Sequence, residues 1–340
     1  MGGRAVSGRA VGVVLVLVSA CGFGSGALFA KPVYAAGLDW LTLLYWRFLI
    51  AAVVSWAWLL LVPFNRRALR TISRRRVLVL LALGVVYVGN SGTYFAGLET
   101  VSASLAALIV YIYPALVAVL ALRFGRRLEG RRPWAALGLA LLGVALAVGG
   151  IDPTQVPPLS GLLLVLASPV IYAIWIVLSA RLAGERRTPR DPAPPEALEG
   201  VQETDPAPAA AIMMSATLAV YAALAFAGGR PILPTQVPSD AWFGLIGVGL
   251  VATALAVQAF YAGTKRIGAA RAALVSTVEP IYTIVLATLL LGESLTPVQL
   301  LGGALVIGAV ILAETAPRPA EAVPAAATIL GPLDASNPGR

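Results

Sequence analysis

Two stretches half a chain apart decide the fold: YFAGLETVSASLAALIVYIYP at Tyr94–Pro114 and FYAGTKRIGAARAALVSTVEP at Phe260–Pro280. Aligned without a gap, they agree at seven of 21 positions, including the glycines Gly97 and Gly263 and the final prolines. Alanine matches carry little weight in an alanine-rich chain, so the glycine, the proline and the ungapped spacing carry the signal. The sequence is therefore predicted to contain two copies of one unit.

The composition indicates a membrane protein. Of 340 residues, 59% are hydrophobic and only 12% are charged, and the mean hydropathy is +0.86. A soluble domain carries about twice that share of charge, so this chain is expected to bury its apolar surface in lipid. It has one cysteine, Cys21, and no histidine, which excludes an intrachain disulfide, Ser-His-Asp catalysis and histidine-containing zinc sites. No catalytic residue, metal or cofactor is therefore predicted.

Ten apolar segments approach the length of about 20 residues that a helix needs to cross the hydrocarbon core. Since backbone groups in lipid must bond internally, each is predicted to be a helix, which makes the fold an all-α integral membrane protein. The approximate limits are 11–30, 40–62, 77–97, 103–124, 134–150, 159–180, 210–228, 241–262, 270–290 and 298–313. The first segment, preceded by Arg4 and Arg9, also resembles a signal peptide. Cleavage would leave a truncated bundle, so an uncleaved first span is favoured.

The basic residues indicate how the segments are oriented. With the N-terminus inside, all of the 25 Lys and Arg residues except Lys31, Arg47 and Arg230 fall on the inner side. Cytoplasmic loops are enriched in Lys and Arg, so the chain is predicted to be a multi-pass protein of the cell membrane with both termini in the cytoplasm. The net charge of +9 is then explained by topology and by contact with anionic lipid, and no binding of nucleic acid is predicted.

The two copies are predicted to have opposite orientations. Each half, 11–150 and 159–313, holds five segments, an odd number, so the halves enter the membrane from opposite sides. Loop charge agrees with this, because the connection containing Glu99 has no cation whereas its counterpart holds Lys265, Arg266 and Arg271. Residues 184–209 are predicted to be a flexible cytoplasmic insertion and residues 315–340 a disordered tail, since both are rich in proline and lack a core-forming pattern.

With these features the chain resembles the ten-helix drug/metabolite transporter superfamily, of the EamA type. The resemblance covers about residues 11–313 and rests on the paired stretches, on LLLGESLTPVQLLGGALVIGAVIL at Leu289–Leu312 and on Arg47 within LLYWRFLIA. It implies a carrier of small molecules, often an exporter of amino acids or other metabolites, with a central cavity whose access alternates. Residues 184–209 depart from the family pattern, as does Arg126-Arg127-Leu128, where the family has a leaner Gly-Glu.

Glu279 is the strongest candidate for chemistry. It lies ten residues into the ninth segment, directly before Pro280. A carboxyl group in mid-membrane is costly and usually faces the interior or water, where it marks a substrate or proton pathway. Such a group can exchange protons near neutral pH or bind a substrate amine. The alternatives are a hydrogen bond to backbone freed by Pro280, or an ion pair with Arg47.

Arg47 lies within the second segment, about seven residues after Trp40. An ion pair that fixes helix packing is favoured here over contact with an anionic group of the substrate.

Aromatic residues within the segments could line a cavity that has apolar walls and a few polar handles. Tyr113 is the strongest of them, because it occupies the repeat position equivalent to Glu279. For the other aromatics, packing or an interfacial belt is the favoured role. The candidates beside Tyr113 are Tyr94, Tyr111, Tyr172 and Trp175.

Polar residues and prolines within the segments have two interpretations each. Asn90 and Gln258 could contact substrate or form hydrogen bonds between helices. Pro114 and Pro280, related by the repeat, could be paired hinges or kinks that do not move. Small residues along the fifth and tenth segments favour close helix contact, within the bundle or in a homodimer; they are Gly138, Gly143, Gly302, Gly303 and Gly308.

A second repeated pattern, Glu129-x3-Pro133 and Glu293-x3-Pro297, is assigned to helix starts. Proline suits the first turn of a helix, and an acid near that end is favoured by the helix dipole. Thr296 before Pro297 fits an N-cap.

The function predicted from these residues is secondary transport of small molecules, with protons coupled through Glu279. The resemblance implies an exporter of amino acids or similar amphiphilic compounds. The chain has no GxxxxGK[ST] loop for ATP drive. The alternatives are an importer of the same fold and a membrane sensor or scaffold that does not transport. An intramembrane enzyme is disfavoured, because no paired acids or activated serine lie in register.

Overall fold

Every regular element that the computed structural model describes is a helix. The described residues are 2–62, 69, 72–123, 131–151, 156–183, 206–267, 272 and 275–314. The helices are α1 (Gly2–Ala35), α2 (Trp40–Leu61), α3 (Arg74–Leu98), α4 (Ala103–Val110), α5 (Tyr113–Arg123), α6 (Arg132–Gly149), α7 (Leu159–Ala183), α8 (Pro206–Ala227), α9 (Ala241–Ile246), α10 (Ala256–Ile267), α11 (Val278–Leu291) and α12 (Pro297–Glu314). A π-helical stretch, Gly247–Leu255, joins α9 to α10 without a break.

Six helical runs in the described residues are long and apolar enough to cross a membrane, by length and composition. They are Ala10–Ala35, Trp40–Leu61, Arg74–Leu98, Leu159–Leu178, Ala207–Ala227 and Ala241–Phe260. Four shorter apolar helices are Ala103–Val117, Trp134–Val148, Val278–Leu291 and Pro297–Leu312. These ten stretches overlap the ten predicted segments. Because four of them are shorter than a full span, the ten-span topology stays a prediction.

Two segment boundaries differ from the sequence prediction. Segment 103–124 was expected to be one helix, but it breaks at Tyr111–Ile112 into α4 and α5. The last four residues of the predicted insertion 184–209 belong to a helix instead, because α8 begins at Pro206 and buries Ala207 and Ala209. The rest of that insertion and the predicted tail 315–340 lie outside the described residues.

Short polar residues cap the N-termini of α2 and α4. Asp39 Oδ1 accepts the backbone N–H of Thr42 (3.0 Å) at the start of α2, and Ser102 Oγ accepts that of Leu105 (3.3 Å) at the start of α4. These caps satisfy amide groups that have no partner within the helix. Seven of the eight residues of α4 are buried, so this short helix lies at the centre of the bundle.

The halves α1–α6 and α7–α12 pack against each other in matched pairs. Helix α1 contacts α10 and α11, and correspondingly α7 contacts α3 and α5. Helix α2 contacts α8 and the π-helical stretch, while α8 contacts α2 and α3, and α6 packs along α12. Exchanging the two halves leaves this list of contacts unchanged.

The repeated glycines make the same contact in each half. A Cβ atom on Gly97 would lie 2.8 Å from the carbonyl oxygen of Gly161 and 2.5 Å from Val165 Cγ2. A Cβ atom on Gly263 would lie 2.9 Å from the carbonyl oxygen of Gly12 and 2.6 Å from Val16 Cγ2. The α3–α7 and α10–α1 crossings therefore both require a residue without a side chain.

The glycines of α6 and α12 also lie inside the bundle. A Cβ atom on Gly143 would be 2.6 Å from the Gly302 carbonyl oxygen, and one on Gly302 would be 2.5 Å from that of Gly143. Gly138 differs, because a Cβ atom there would meet nothing within 4 Å in the described residues. The close helix contact predicted for this set is thus made within the chain at Gly143 and Gly302.

Replacing Gly263 by alanine is expected to lower the free energy of unfolding by about 1–3 kcal/mol, the usual cost of forcing an extra methyl group into a packed contact. Gly97→Ala is expected to cost a similar amount. Both are measured by thermal unfolding of the purified protein in detergent. The matched control is Gly138→Ala, which has room for its methyl group and favours the helix. An equal loss in all three variants would contradict this assignment of close contacts.

Candidate functional site

A break in a helix of each half marks the candidate site. In the first half, α4 ends at Val110 and α5 begins at Tyr113, next to Pro114. In the second half, the equivalent position Thr277 is a turn, and α11 begins at Val278. Proline lacks an amide proton, so the carbonyl four residues earlier loses its helical partner. Pro114 and Pro280 thus lie at paired breaks, as expected for their repeat positions, while their role as hinges stays a prediction.

The two breaks are joined by the Tyr111 side chain. Its hydroxyl oxygen lies within hydrogen-bond distance of the carbonyl oxygen of Ser276 (2.6 Å) and of Glu279 Oε2 (3.0 Å). Ser276 is the residue whose carbonyl Pro280 leaves without a helical partner. Tyr111 is buried, at 3% exposure, so its hydroxyl supplies the bond that this carbonyl would otherwise lack.

Tyr111 is therefore the aromatic residue that is hydrogen-bonded to Glu279. The repeat alignment singled out Tyr113, but that side chain lies next to Tyr111, with ring centroids 5.9 Å apart. The alternative of an ion pair between Glu279 and Arg47 is wrong within the described residues, where the hydrogen-bond partner of the Glu279 carboxyl group is Tyr111. Glu279 is half-buried.

Helix α1 packs directly on the start of α11. A Cβ atom on Gly24 would lie 3.2 Å from the Glu279 carbonyl oxygen and 2.7 Å from Thr283 Oγ1. The Thr283 hydroxyl bonds to the carbonyl oxygens of Gly24 and Glu279, both at 3.0 Å. The hydroxyl oxygens of Ser25 and Tyr282 are also hydrogen-bonded, at 3.0 Å. Sequence reasoning missed Ser25, Tyr282 and Thr283. The available signal was that Tyr282 and Thr283 lie one helical turn after Glu279.

The aromatic candidates form a row that leads away from the junction. Tyr113 lies 4.8 Å from Tyr172 between ring centroids, and Tyr172 stacks on Trp175 at 5.9 Å. Trp175 is 5.2 Å from Tyr87, which in turn contacts Phe48 at 6.2 Å. Sequence reasoning found the first part of this row and missed Tyr87 and Phe48. The Trp175 indole donates to the Leu83 carbonyl oxygen (2.9 Å), which gives that residue a packing role.

Arg47 lies in a second polar position, between α2 and the π-helical stretch. Its Nε donates to Thr253 Oγ1 (2.9 Å), and its guanidinium carbon lies 5.2 Å from the Phe48 ring centroid and 4.7 Å from that of Phe95. Both distances fit cation–π contact. No acidic side chain among the described residues forms an ion pair with Arg47, so the structural ion pair stays a prediction. The terminal nitrogens of Arg47 likewise have no hydrogen-bond partner among those residues.

The three remaining candidates, Asn90, Tyr94 and Gln258, lie in different surroundings. Asn90 Oδ1 accepts from Ser168 Oγ (2.9 Å), which links α3 to α7 and favours the structural interpretation. Tyr94 packs edge-on against Phe95, with ring centroids 5.1 Å apart, and Phe95 is one of the two rings that contact Arg47. Gln258 Nε2 is buried and has no hydrogen-bond partner in the described residues. The structure thus brings together Glu279, Tyr111, Tyr113, Tyr172 and Trp175, and it places Asn90 in a helix contact.

Phenylalanine in place of Tyr111 is expected to lower the free energy of unfolding by about 1–3 kcal/mol, because the buried Ser276 carbonyl loses its donor. The measurement is thermal unfolding in detergent. Tyr45→Phe is a suitable control, since Tyr45 packs its ring edge-on against Trp46 and would keep that contact. A Tyr111 variant as stable as the wild type would show that the Ser276 carbonyl does not depend on this hydroxyl.

A bundle of apolar helices, with a carboxyl group and a guanidinium group in its interior, defines a polytopic membrane protein with a polar central site. Comparison with known proteins is more specific. The model of the EamA-like transporter family matches residues 10–149 and 194–315, and the chain belongs to this family. Helix α7 falls between the two matched regions. The family indicates a membrane transporter of small molecules in contact with lipid, and not an enzyme.

Named relatives agree with this assignment. An uncharacterized transporter of Archaeoglobus fulgidus is 26% identical, over 89% of this chain and 96% of its own length. The uncharacterized transporter YcbK of Bacillus subtilis is 26% identical, over 86% and 89%. The uncharacterized inner membrane transporter YedA of Escherichia coli is 25% identical, over 78% of each chain. A crystal structure with 18% identity covers 90% of this chain and 96% of its own, with a TM-score of 0.60, which supports the fold alone.

Proposed function

We propose that the chain is a secondary transporter that exports small amphiphilic metabolites, such as amino acids, by alternating access. The observation that carries this proposal is the junction of Tyr111, Ser276 and Glu279, where a broken helix from each half meets a carboxyl group. Secondary transporters place substrate and coupling-ion sites at discontinuous helices near the interface of their repeats. A carboxyl group buried in such a position marks a pathway for protons or substrate.

The scaffold is proposed to be ten spans in two inverted halves, in the cell membrane, with both termini in the cytoplasm. The matched helix contacts and the equivalent positions of Gly97 and Gly263 support the internal symmetry. The distribution of Lys and Arg supports the orientation. Pro114 and Pro280, at the paired breaks, are proposed as the hinges about which the half-helices tilt.

Proton coupling is supported by a shortage of hydrogen-bond donors at the junction when Glu279 is ionised. The Tyr111 hydroxyl carries a single proton, but two acceptors, the Ser276 carbonyl oxygen and an ionised Glu279, compete for it. When Glu279 is protonated, its own hydroxyl can donate to the Tyr111 oxygen, and Tyr111 can then donate to Ser276 alone. The protonated state therefore satisfies every group, whereas the ionised state leaves one acceptor open to a substrate amine.

An amphiphilic substrate is supported by the groups around this junction. The aromatic row that includes Tyr113, Tyr172 and Trp175 offers apolar faces with polar edges. Arg47 offers terminal nitrogens to a carboxylate, the anion that the guanidinium fork matches best. Tyr94 lies beside Phe95, which contacts the Arg47 guanidinium, so its ring adds an aromatic face near this group.

The test is a screen of metabolite efflux and uptake by the full chain in reconstituted vesicles, with and without a pH gradient. Movement of an amphiphilic solute away from the cytoplasmic side, made faster by a pH gradient that drives protons toward that side, supports the proposal. Movement in the uptake direction alone would identify an importer. The alternative of a membrane sensor or scaffold would be favoured by three results together. The protein would transport none of the solutes, it would fold normally, and it would bind a cytoplasmic partner.

A further inference from the structure

The Glu293 side chain bonds to a helix of the opposite half. Its Oε1 accepts the backbone N–H of Ala103 and its Oε2 accepts that of Ser104, both at 2.8 Å. Hydrogen bonds from amides to a carboxylate at a helix N-terminus are charge-assisted and are favoured by the helix dipole. Glu293 was assigned to the start of its own helix, α12; that is wrong, because the helix it caps is α4.

The backbone before Glu293 fixes where its side chain points. Gly292 ends α11 in the left-handed region at φ +67°, and the Glu293 amide returns to the Ala287 carbonyl oxygen (3.2 Å). This closure favours glycine at the helix end, and it aims the following side chain away from its own helix. The start of α12 is capped independently, by Thr296 and Gln299, which exchange bonds of 2.9 and 3.2 Å.

The corner that Glu293 binds is otherwise held by residues of the first half. Lys31 Nζ donates to the carbonyl oxygens of Leu98 (2.8 Å) and Val101 (2.7 Å), and Ser102 caps the Leu105 amide. Among these groups only the Glu293 carboxylate comes from the second half, so its bonds can break while the corner stays intact.

Helix α4 is thus tied to the second half at both ends. Glu293 binds its first turn, and Tyr111, directly after its last turn, binds Ser276 and Glu279. The helix has eight residues, a length of about 12 Å. If the hydrogen bonds of Tyr111 change, α4 is therefore expected to move as one short helix and to displace the amides that bind Glu293.

Water has access to this contact. A cavity of about 240 Å³ lies beside it, with polar residues among its lining, including Thr100, Ser102, Glu293 and Gln299. A carboxylate that leaves two amide donors must be hydrated to avoid a large desolvation cost. The cavity supplies that space, so release of Glu293 is physically feasible without unfolding.

We propose that Glu293 is a latch that holds the predicted outer end of the transport passage closed and that must release α4 for this end to open. The inference rests on the proposed function, since it assigns a gate to the same passage. It differs from the role of Glu279, because Glu293 binds neither substrate nor proton and acts only on the equilibrium between closed and open states.

The test uses the single cysteine of the chain as a reporter. Cys21 is half-buried on α1, one helical turn before Ser25, whose hydroxyl is hydrogen-bonded to Tyr282 of α11. Its rate of reaction with a thiol reagent therefore reports access to the contact between α1 and α11. The full chain is reconstituted in sealed vesicles of defined orientation, and a membrane-impermeant methanethiosulfonate reagent is added to one side at a time. Glu293→Gln is expected to raise the labelling rate from the outer side by about tenfold or more, the factor that corresponds to losing one charge-assisted hydrogen bond.

Glu99→Gln is the matched control. Glu99 Oε1 also accepts the first amide of a helix, that of Trp40 (2.6 Å), but both residues belong to the first half. This variant is expected to label like the wild type from both sides. An unchanged rate in Glu293→Gln would overturn the latch, and so would an equal increase from both sides, which indicates general loosening. Labelling does not require transport, so an inactive protein would challenge the proposed function without deciding this inference.

Discussion

Glu279→Gln is expected to abolish transport that is driven by a pH gradient. Glutamine keeps the shape of a protonated glutamate and can still donate to the Tyr111 oxygen, but it cannot release a proton. Substrate exchange without a gradient should therefore continue, while coupling, which usually amounts to about 1–3 kcal/mol, is lost. Both activities are measured in the same vesicles, as gradient-driven flux and as counterflow of labelled substrate.

Comparing gradient-driven flux with counterflow shows whether Glu279 carries the proton or binds the substrate. Loss of both would indicate that Glu279 binds the amine of the substrate and does not carry the proton. Wild-type flux under a pH gradient would contradict any coupling role. Glu99→Gln is again the control, because it removes a carboxylate near the membrane surface and leaves the junction intact.

Arg47→Gln is expected to slow transport of substrates that carry a carboxylate by about 30-fold or more. Removing one partner of a buried, hydrogen-bonded charge pair costs about 2–5 kcal/mol, and 1.36 kcal/mol corresponds to a factor of ten. Glutamine can still reach Thr253, but it loses the cation and its contacts with Phe48 and Phe95. The measurement is counterflow of an amino acid beside the corresponding amine that lacks the carboxylate.

The comparison of the two solutes decides what Arg47 does. Selective loss of the amino acid supports contact with its carboxylate. Equal loss of both solutes, accompanied by a lower melting temperature, would reduce Arg47 to a packing role. Arg230→Gln is the matched control, because Arg230 forms an exposed ion pair with Asp39 at 3.2 Å, and exposed pairs contribute little.

Sequence reasoning located the helices well, because apolar segments of membrane length have a direct physical cause. It also identified the cap at Thr296, which is local. The break at Tyr111–Ile112 was not predicted, since the apolar pattern of residues 103–124 continues through it and Pro114 indicated only a kink. Whether a helix bends or breaks depends on partners that can bind the freed carbonyls, and these belong to the other half.

The same limit explains the errors at the candidate site. Repeat alignment makes Tyr113 the equivalent of Glu279 but does not say which side chain contacts the carboxyl group, and in the structure that side chain is Tyr111. Glu293 was correctly predicted to lie at the start of a helix, and the electrostatic reason was right, but the helix is a different one. Glu293 and Ala103 are 190 positions apart, so the spacing of neighbouring residues could not predict the bond between them.

The π-helical stretch Gly247–Leu255 distinguishes the second half from α3, its counterpart in the first half. Helix α3 is an uninterrupted α-helix, whereas this stretch holds extra residue length in its wider turns. Rewinding it by one residue to α-helical geometry would turn α10 by about 100° and advance it by about 1.5 Å. Such a rotation would carry the amide of Gln258, which has no hydrogen-bond partner among the described residues, to a new direction while α9 stayed in place. The two halves need not then move by the same amount.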